Sequence, residues 1–126
     1  MNVNSAFLDQ ELGATAFDVK RITYYPNSST SPTIETSTGV MGSIHPATPE
    51  MLELLPEEER SERYIYVHTE FALQLGKFNG ETTIAPDRIV WSGETWRVVR
   101  IRDWSTFGFY EALAVRMQEE EANDSV

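Results

Sequence analysis

Residues 85–104 run Ala-Pro-Asp-Arg-Ile-Val-Trp-Ser-Gly-Glu-Thr-Trp-Arg-Val-Val-Arg-Ile-Arg-Asp-Trp, and this stretch decides the fold. It reads as two β-strands joined by a tight turn at Ser92-Gly93, because glycine takes the positive φ that hairpin turns need. Apolar residues alternate on both sides of that turn. Ile89 and Trp91 precede it, and Trp96, Val98 and then Arg100 share one face of the strand that follows. Val99 and Ile101 point the other way, so the second strand is expected to be apolar on both faces near its middle. Such a strand suits a small barrel or a subunit interface.

Working upstream, residues 64–69 alternate Tyr64, Tyr66 and His68 against Ile65 and Val67, which predicts a strand. Between it and the hairpin lies an excursion at about 70–86 that contains Gly76, Gly80 and Pro86. Phe71, Leu73, Leu75 and Phe78 within it need burial, and a loop of this length in a small domain is usually functional. Before residue 64 stands the strongest helical signal: Thr48 as N-cap, Pro49 at the first helical position, and Met51, Leu52, Leu54 and Leu55 as the apolar side. Two turns of helix are not stable alone, so this element must dock. Further back, residues 40–45 predict a strand in which Gly42 marks a bulge or close approach of another backbone. Residues 34–38 predict a short edge strand broken by Gly39, and residues 19–25 a strand stopped by Pro26.

Downstream, Phe107, Phe109, Leu113 and Val115 alternate, which favours a strand, although Ala and Leu from Glu111 onward also suit a helix. The expectation is one mainly β domain, a small β-barrel or sandwich-like fold with one short docked helix, long loops and flexible termini. Residues 1–17 would form an N-terminal arm, in which Ser5 can cap a short helix closed by Gly13. Residues 18–117 would form the barrel-like domain, and residues 118–126 an acidic disordered tail.

At 126 residues the chain is long enough for one core and short for two. It has no cysteine, so disulfides and thiolate chemistry are excluded, and a reducing compartment is compatible. The opening Met-Asn-Val-Asn-Ser lacks a signal-peptide pattern, and no apolar run is long enough to cross a membrane. The net charge of −10 argues against nucleic-acid binding, where affinity comes largely from cations. Part of that charge is local, in Glu50, Glu53, Glu57, Glu58 and Glu59, and again in Glu119, Glu120, Glu121 and Asp124.

Motifs for chemistry are sparse. No glycine-rich phosphate loop has the required spacing, and no nucleophile motif is visible. His45 and His68 lie on different strands and, with a Glu, are the one conceivable metal set, as in a small metal-dependent β-barrel enzyme. Glutamates 57–59 read as solvated charge, since a catalytic carboxylate needs desolvation or a paired partner. Arg88, Arg97, Arg100 and Arg102 put a basic stripe on the hairpin, which reads as pairing with carboxylates within or between subunits. Trp91, Trp96 and Trp104 read as core or as interface anchors.

The order of these features resembles the head–tail joining proteins of tailed bacteriophages, the neck family that includes head-closure or stopper components. The resemblance runs over about residues 40–116. It is carried by Leu55-Pro56-Glu57 at the helix end, Ala85 with Asp87-Arg88-Ile89, Gly93 followed by Trp96 and Val98, Trp104, and Tyr110 with Ala112. This chain departs from the family pattern at Glu58, where the family has Gly, at the inserted Pro86, and at Trp96, where it has Tyr. The resemblance implies a virion protein without catalytic residues or cofactors, made in the bacterial host cytoplasm. It would form a ring of six or twelve copies at the neck, between portal or adaptor proteins and tail-terminator or tail-tube proteins. Double-stranded DNA would pass without sequence-specific binding. A tail-terminator or other tail-tube ring is the alternative. The interface residues expected on this reading are Phe71, Leu73, Leu75, Phe78, Arg97, Arg100 and Trp104, and residues 72–84 are expected to be dispensable for folding.

Overall fold

A computed structural model of the chain describes residues 14–53, 55–59 and 62–118. The hairpin forms as its sequence predicts. Strand β6 (Arg88–Trp91) turns into β7 (Glu94–Trp104), with Trp91 opposite Glu94 and Ile89 opposite Trp96. Ser92 and Gly93 both take positive φ, 54° and 76°, which is the two-residue turn whose twist matches that of the strands. Around it lie β1 (Ala14–Tyr24), β2 (Thr33–Pro46), β3 (Tyr64–Thr69) and β8 (Phe109–Arg116). Hydrogen bonding runs β1–β2–β3–β8–β7–β6 and back to β1, antiparallel throughout. These six strands close a barrel, although residues 33–41 of β2 pair on the β1 side alone.

Inward-facing side chains fill it. Val19, Val67, Ile89, Trp96, Val98 and Ala114 are all essentially inaccessible. The β8 positions facing the large Trp96 side of the barrel are small, Ala112 and Ala114, so layers of unequal size fit the narrow interior. Above Trp96, Arg63 lies over the indole ring at 5.7 Å, and Glu94 pairs with both Arg63 (3.4 Å) and Arg116 (2.6 Å).

Two bulges correct the sequence reading. Residues 33–46 form one strand, not an edge strand and a second strand divided by Gly39. Across from Asp18, β2 spends two residues, Thr38 and Gly39, where β1 spends one. Gly39 takes φ +68° and donates its N–H to Asp18 Oδ1 at 3.3 Å, so the glycine bends the strand instead of ending it. On β7, Val98 pairs with Ala114 and Arg100 with the adjacent Leu113, which leaves Val99 as an extra residue. The bulge shifts parity by one. Arg100 therefore turns out to solvent, off the face of Val98, and Ile101 turns in to pack against the core. The two-sided apolarity of this strand comes from that bulge.

Other elements follow their local signals. Thr48 Oγ1 accepts from Met51 N–H (3.3 Å) and starts the single turn α1 (Pro49–Leu52), followed by a 3₁₀ turn at Glu57–Glu59. Leu55 between them is buried. Gly42 sits so close to β3 that an added Cβ would lie 2.7 Å from the His68 carbonyl oxygen. Phe107 is not part of the last strand. It ends a 3₁₀ turn, Ser105–Phe107, closed by left-handed Gly108, and residues 109–116 are strand where a helix competed. The arm boundary also moves: Ala14–Phe17 pair with β2, because their alternation buries Phe17 in the core. The capped helix expected within residues 1–13 and the tail from residue 119 lie outside the described residues.

Candidate functional site

The excursion after β3 is the part of the molecule that the barrel does not require for closure. It begins in the core. Leu73 is only 4% exposed and belongs to the barrel's apolar cluster, and Phe71 packs against that cluster. Leu73 therefore leaves the set of expected interface residues, because its own subunit buries it. For the same reason residues 72–84 are not dispensable: their removal would take out a core side chain.

The base of the excursion is locked by a buried carboxylate. Asp87 is wholly inaccessible and receives both forks of Arg21: Nε donates to Oδ1 at 2.9 Å and Nη2 to Oδ2 at 2.8 Å. Gln74 N–H donates to Oδ2 at 2.8 Å, Asp87 N–H donates back to the Gln74 carbonyl at 2.9 Å, and Arg21 Nη2 also reaches the Ala72 carbonyl at 3.1 Å. The Arg21 guanidinium lies 5.9 Å from the Phe71 ring centre. These hydrogen bonds to Asp87 raise the Arg21 pKa above its ordinary value, against the cost of burial. A paired, fully hydrogen-bonded charge is the form in which a buried carboxylate is tolerated. Nothing local in the sequence marks this pair, since its members are 66 positions apart. The one available signal was a lone Asp just ahead of an apolar strand.

Beyond the clamp the chain projects as a finger. Strand β4 (Lys77–Phe78) pairs with β5 (Thr83–Ile84), and β5 pairs with the end of β1. The tip is organised by Asn79, whose Oδ1 accepts from Glu81 N–H (3.2 Å), Thr82 N–H (2.8 Å) and the Thr82 hydroxyl (2.9 Å). On this ordered tip Phe78 is 67% exposed, and Leu75 at its foot is 45% exposed. Two large apolar side chains exposed on one short segment make it a candidate contact surface.

Next to the finger's foot, the outer wall of β7 carries a groove of about 570 Å³. Leu55, Pro56, Leu75, Pro86, Val99 and Arg97 are among the residues that line it. Arg97 and Arg100 both reach this groove and are exposed, as is Arg102, whereas Arg88 is buried and leaves the expected basic stripe. Trp104 is half-buried in an aromatic group with Phe107 (6.0 Å between rings) and Phe109 (6.3 Å). Phe107 is 71% exposed, which the strand reading of this segment did not foresee.

The histidines lie on β2 and β3, and the row of His45 runs through Tyr66 and Leu113 to Arg100. Across four strands, Ser43, His68, Glu111 and Arg102 stand in register, and His45 and Tyr66 in the next same-face row. Burial pushes the Tyr66 hydroxyl's pKa up, as does its hydrogen bond to Glu111. Burial lowers the His68 pKa, helped by His45 and opposed by Glu111. Among the described residues no three His, Asp or Glu side chains are placed to hold a metal ion, so His45, His68 and a Glu do not assemble into one. No described helix is long and apolar enough to cross a membrane.

No family model matches the chain. A protein of Xylella fastidiosa (strain 9a5c), described only as uncharacterized, is 30% identical over 76 residues. The match covers 60% of this chain and 52% of that protein, so the chain spans about half the length of its relative.

Proposed function

We propose that this protein is a structural component of the head-to-tail connector of a tailed bacteriophage, assembling as a ring of six or twelve copies around the DNA channel. The observation that carries the reading is the clamped finger, an ordered apolar projection on a small closed barrel with no counterpart in its own fold. Such a device serves assembly. The neck-like order of motifs over residues 40–116 supplies the kind of assembly, and the charge of −10 suits a wall past which DNA slides. Portal or adaptor proteins on one side and tail-terminator or tail-tube proteins on the other are the partners.

Light scattering of the purified protein should give a ring mass, and a label fused to it should appear at the neck of virions in electron micrographs. A protein that stays monomeric at all concentrations and joins neither portal-containing nor tail particles would sink the proposal. Presence on tail-only particles and absence from head-only ones would move the protein to the tail-terminator position.

A further inference from the structure

The finger and the groove adjoin at Leu75, and their chemistry is complementary. The finger offers an exposed phenyl ring and, at its tip, the exposed carboxylate of Glu81. The groove offers apolar walls at Leu55, Leu75 and Val99 and the exposed guanidinium of Arg97. A space of about 570 Å³ is ample for a phenyl side chain and the adjoining turn. A copy does not place its own Phe78 in its groove, because Phe78 is not among the residues that line it and most of its surface faces solvent.

We propose that the finger of one copy docks in the groove of the next, with Phe78 against Leu55 and Val99 and Glu81 facing Arg97. The partner is thus a second copy of this chain. This inference rests on the ring reading above and names the contact that would build it. Phe78 is the knob and does not line the hole, so the contact can repeat head-to-tail from copy to copy and close as a ring, the arrangement the ring reading requires. The desolvated phenyl ring supplies most of the affinity, while the charge pair sets register. The Asp87–Arg21 clamp and the Asn79 turn hold the finger ready, which reduces the ordering cost of docking.

The cysteine-free sequence makes the test direct. A chain carrying both Glu81→Cys and Arg97→Cys, oxidised with copper phenanthroline in the assembled state, should give a ladder of covalent multimers on a non-reducing gel. Each single-cysteine variant should give no ladder. Glu81→Arg should weaken association about tenfold, and adding Arg97→Glu to it should restore most of the loss. Wild-type rings whose double-cysteine variant folds and assembles but never crosslinks would overturn the contact and leave the ring reading standing. Unchanged association of a folded Phe78→Glu variant would overturn it equally. A ladder that stops at two chains would uphold the contact and overturn the ring.

Discussion

Asp87 is the residue on which the excursion hangs. It has no solvent access, and three donors from two segments converge on its oxygens. Asp87→Ala should lower the unfolding free energy by about 3 kcal/mol, the low end for breaking a buried pair because Arg21 keeps partial access to water. Urea denaturation at constant m-value measures this loss. Pairing it with Arg21→Met should cost less than the sum of the two single losses, since they remove the same interaction. His68 gives a different, pH-dependent signature. Its pKa in the fold is depressed below the usual 6.5, chiefly by burial. The unfolded chain then binds the proton more readily, so the contribution is complete above pH 6.5 and is lost as pH falls from there through the folded pKa. Denaturation midpoints of wild type and His68→Gln should diverge above that range and converge below it. Parallel curves would remove His68 from the account.

Among the elements, the β6–β7 hairpin is governed by its turn. Ser92 holds φ 54°, a left-handed conformation that costs serine more than asparagine, while Gly93 meets the same demand freely. Ser92→Asn should therefore stabilise the protein by about 0.5 kcal/mol, visible as a rise in Tm with association unchanged. The bulge at Val99 does more than bend β7. By exchanging the sides of Arg100 and Ile101 it delivers an apolar residue to the core and an arginine to the groove. The same residues in a regular ladder, with Val99 taking its own place, would bury a guanidinium and expose an isoleucine.

At the scale of the molecule, charge and closure act together. The barrel closes, but residues 33–41 of β2 pair only with β1, so one stretch of sheet edge is open among the described residues, beside the side-chain projections of the finger. The exposed glutamates 50, 53, 57 and 58 beside the short helix, within a net charge of −10, oppose any phosphate backbone. Mobility-shift assays at about 0.15 M salt should show no binding of duplex DNA by the isolated protein, since too few cations are available to displace its counterions. Salt-sensitive retention of DNA would contradict both this expectation and the reading of the arginine stripe as a protein contact.

Local chemistry was enough for much of this. The Ser92-Gly93 turn, the Thr48 cap, the alternation in β3 and the tight approach at Gly42 each depend on residues within a few positions, or on a backbone too crowded for a Cβ. These made a mainly β domain with one short helix legible, and they pointed to the excursion as the segment of interest. Register across the barrel was not legible. Both bulges depend on what the neighbouring strand offers, so Gly39 read as a break and Arg100 as a partner of Val98. The site depended on the same long-range information. Whether an apolar residue of the excursion is core or contact is set by the barrel mouth beneath it: Leu73 fills that mouth, whereas Phe78 stands clear on a finger anchored by a carboxylate and an arginine from distant strands. Only the closed tertiary structure brings those groups together, because pairing between distant strands is decided by the shape of the whole barrel and not by any one segment's preference.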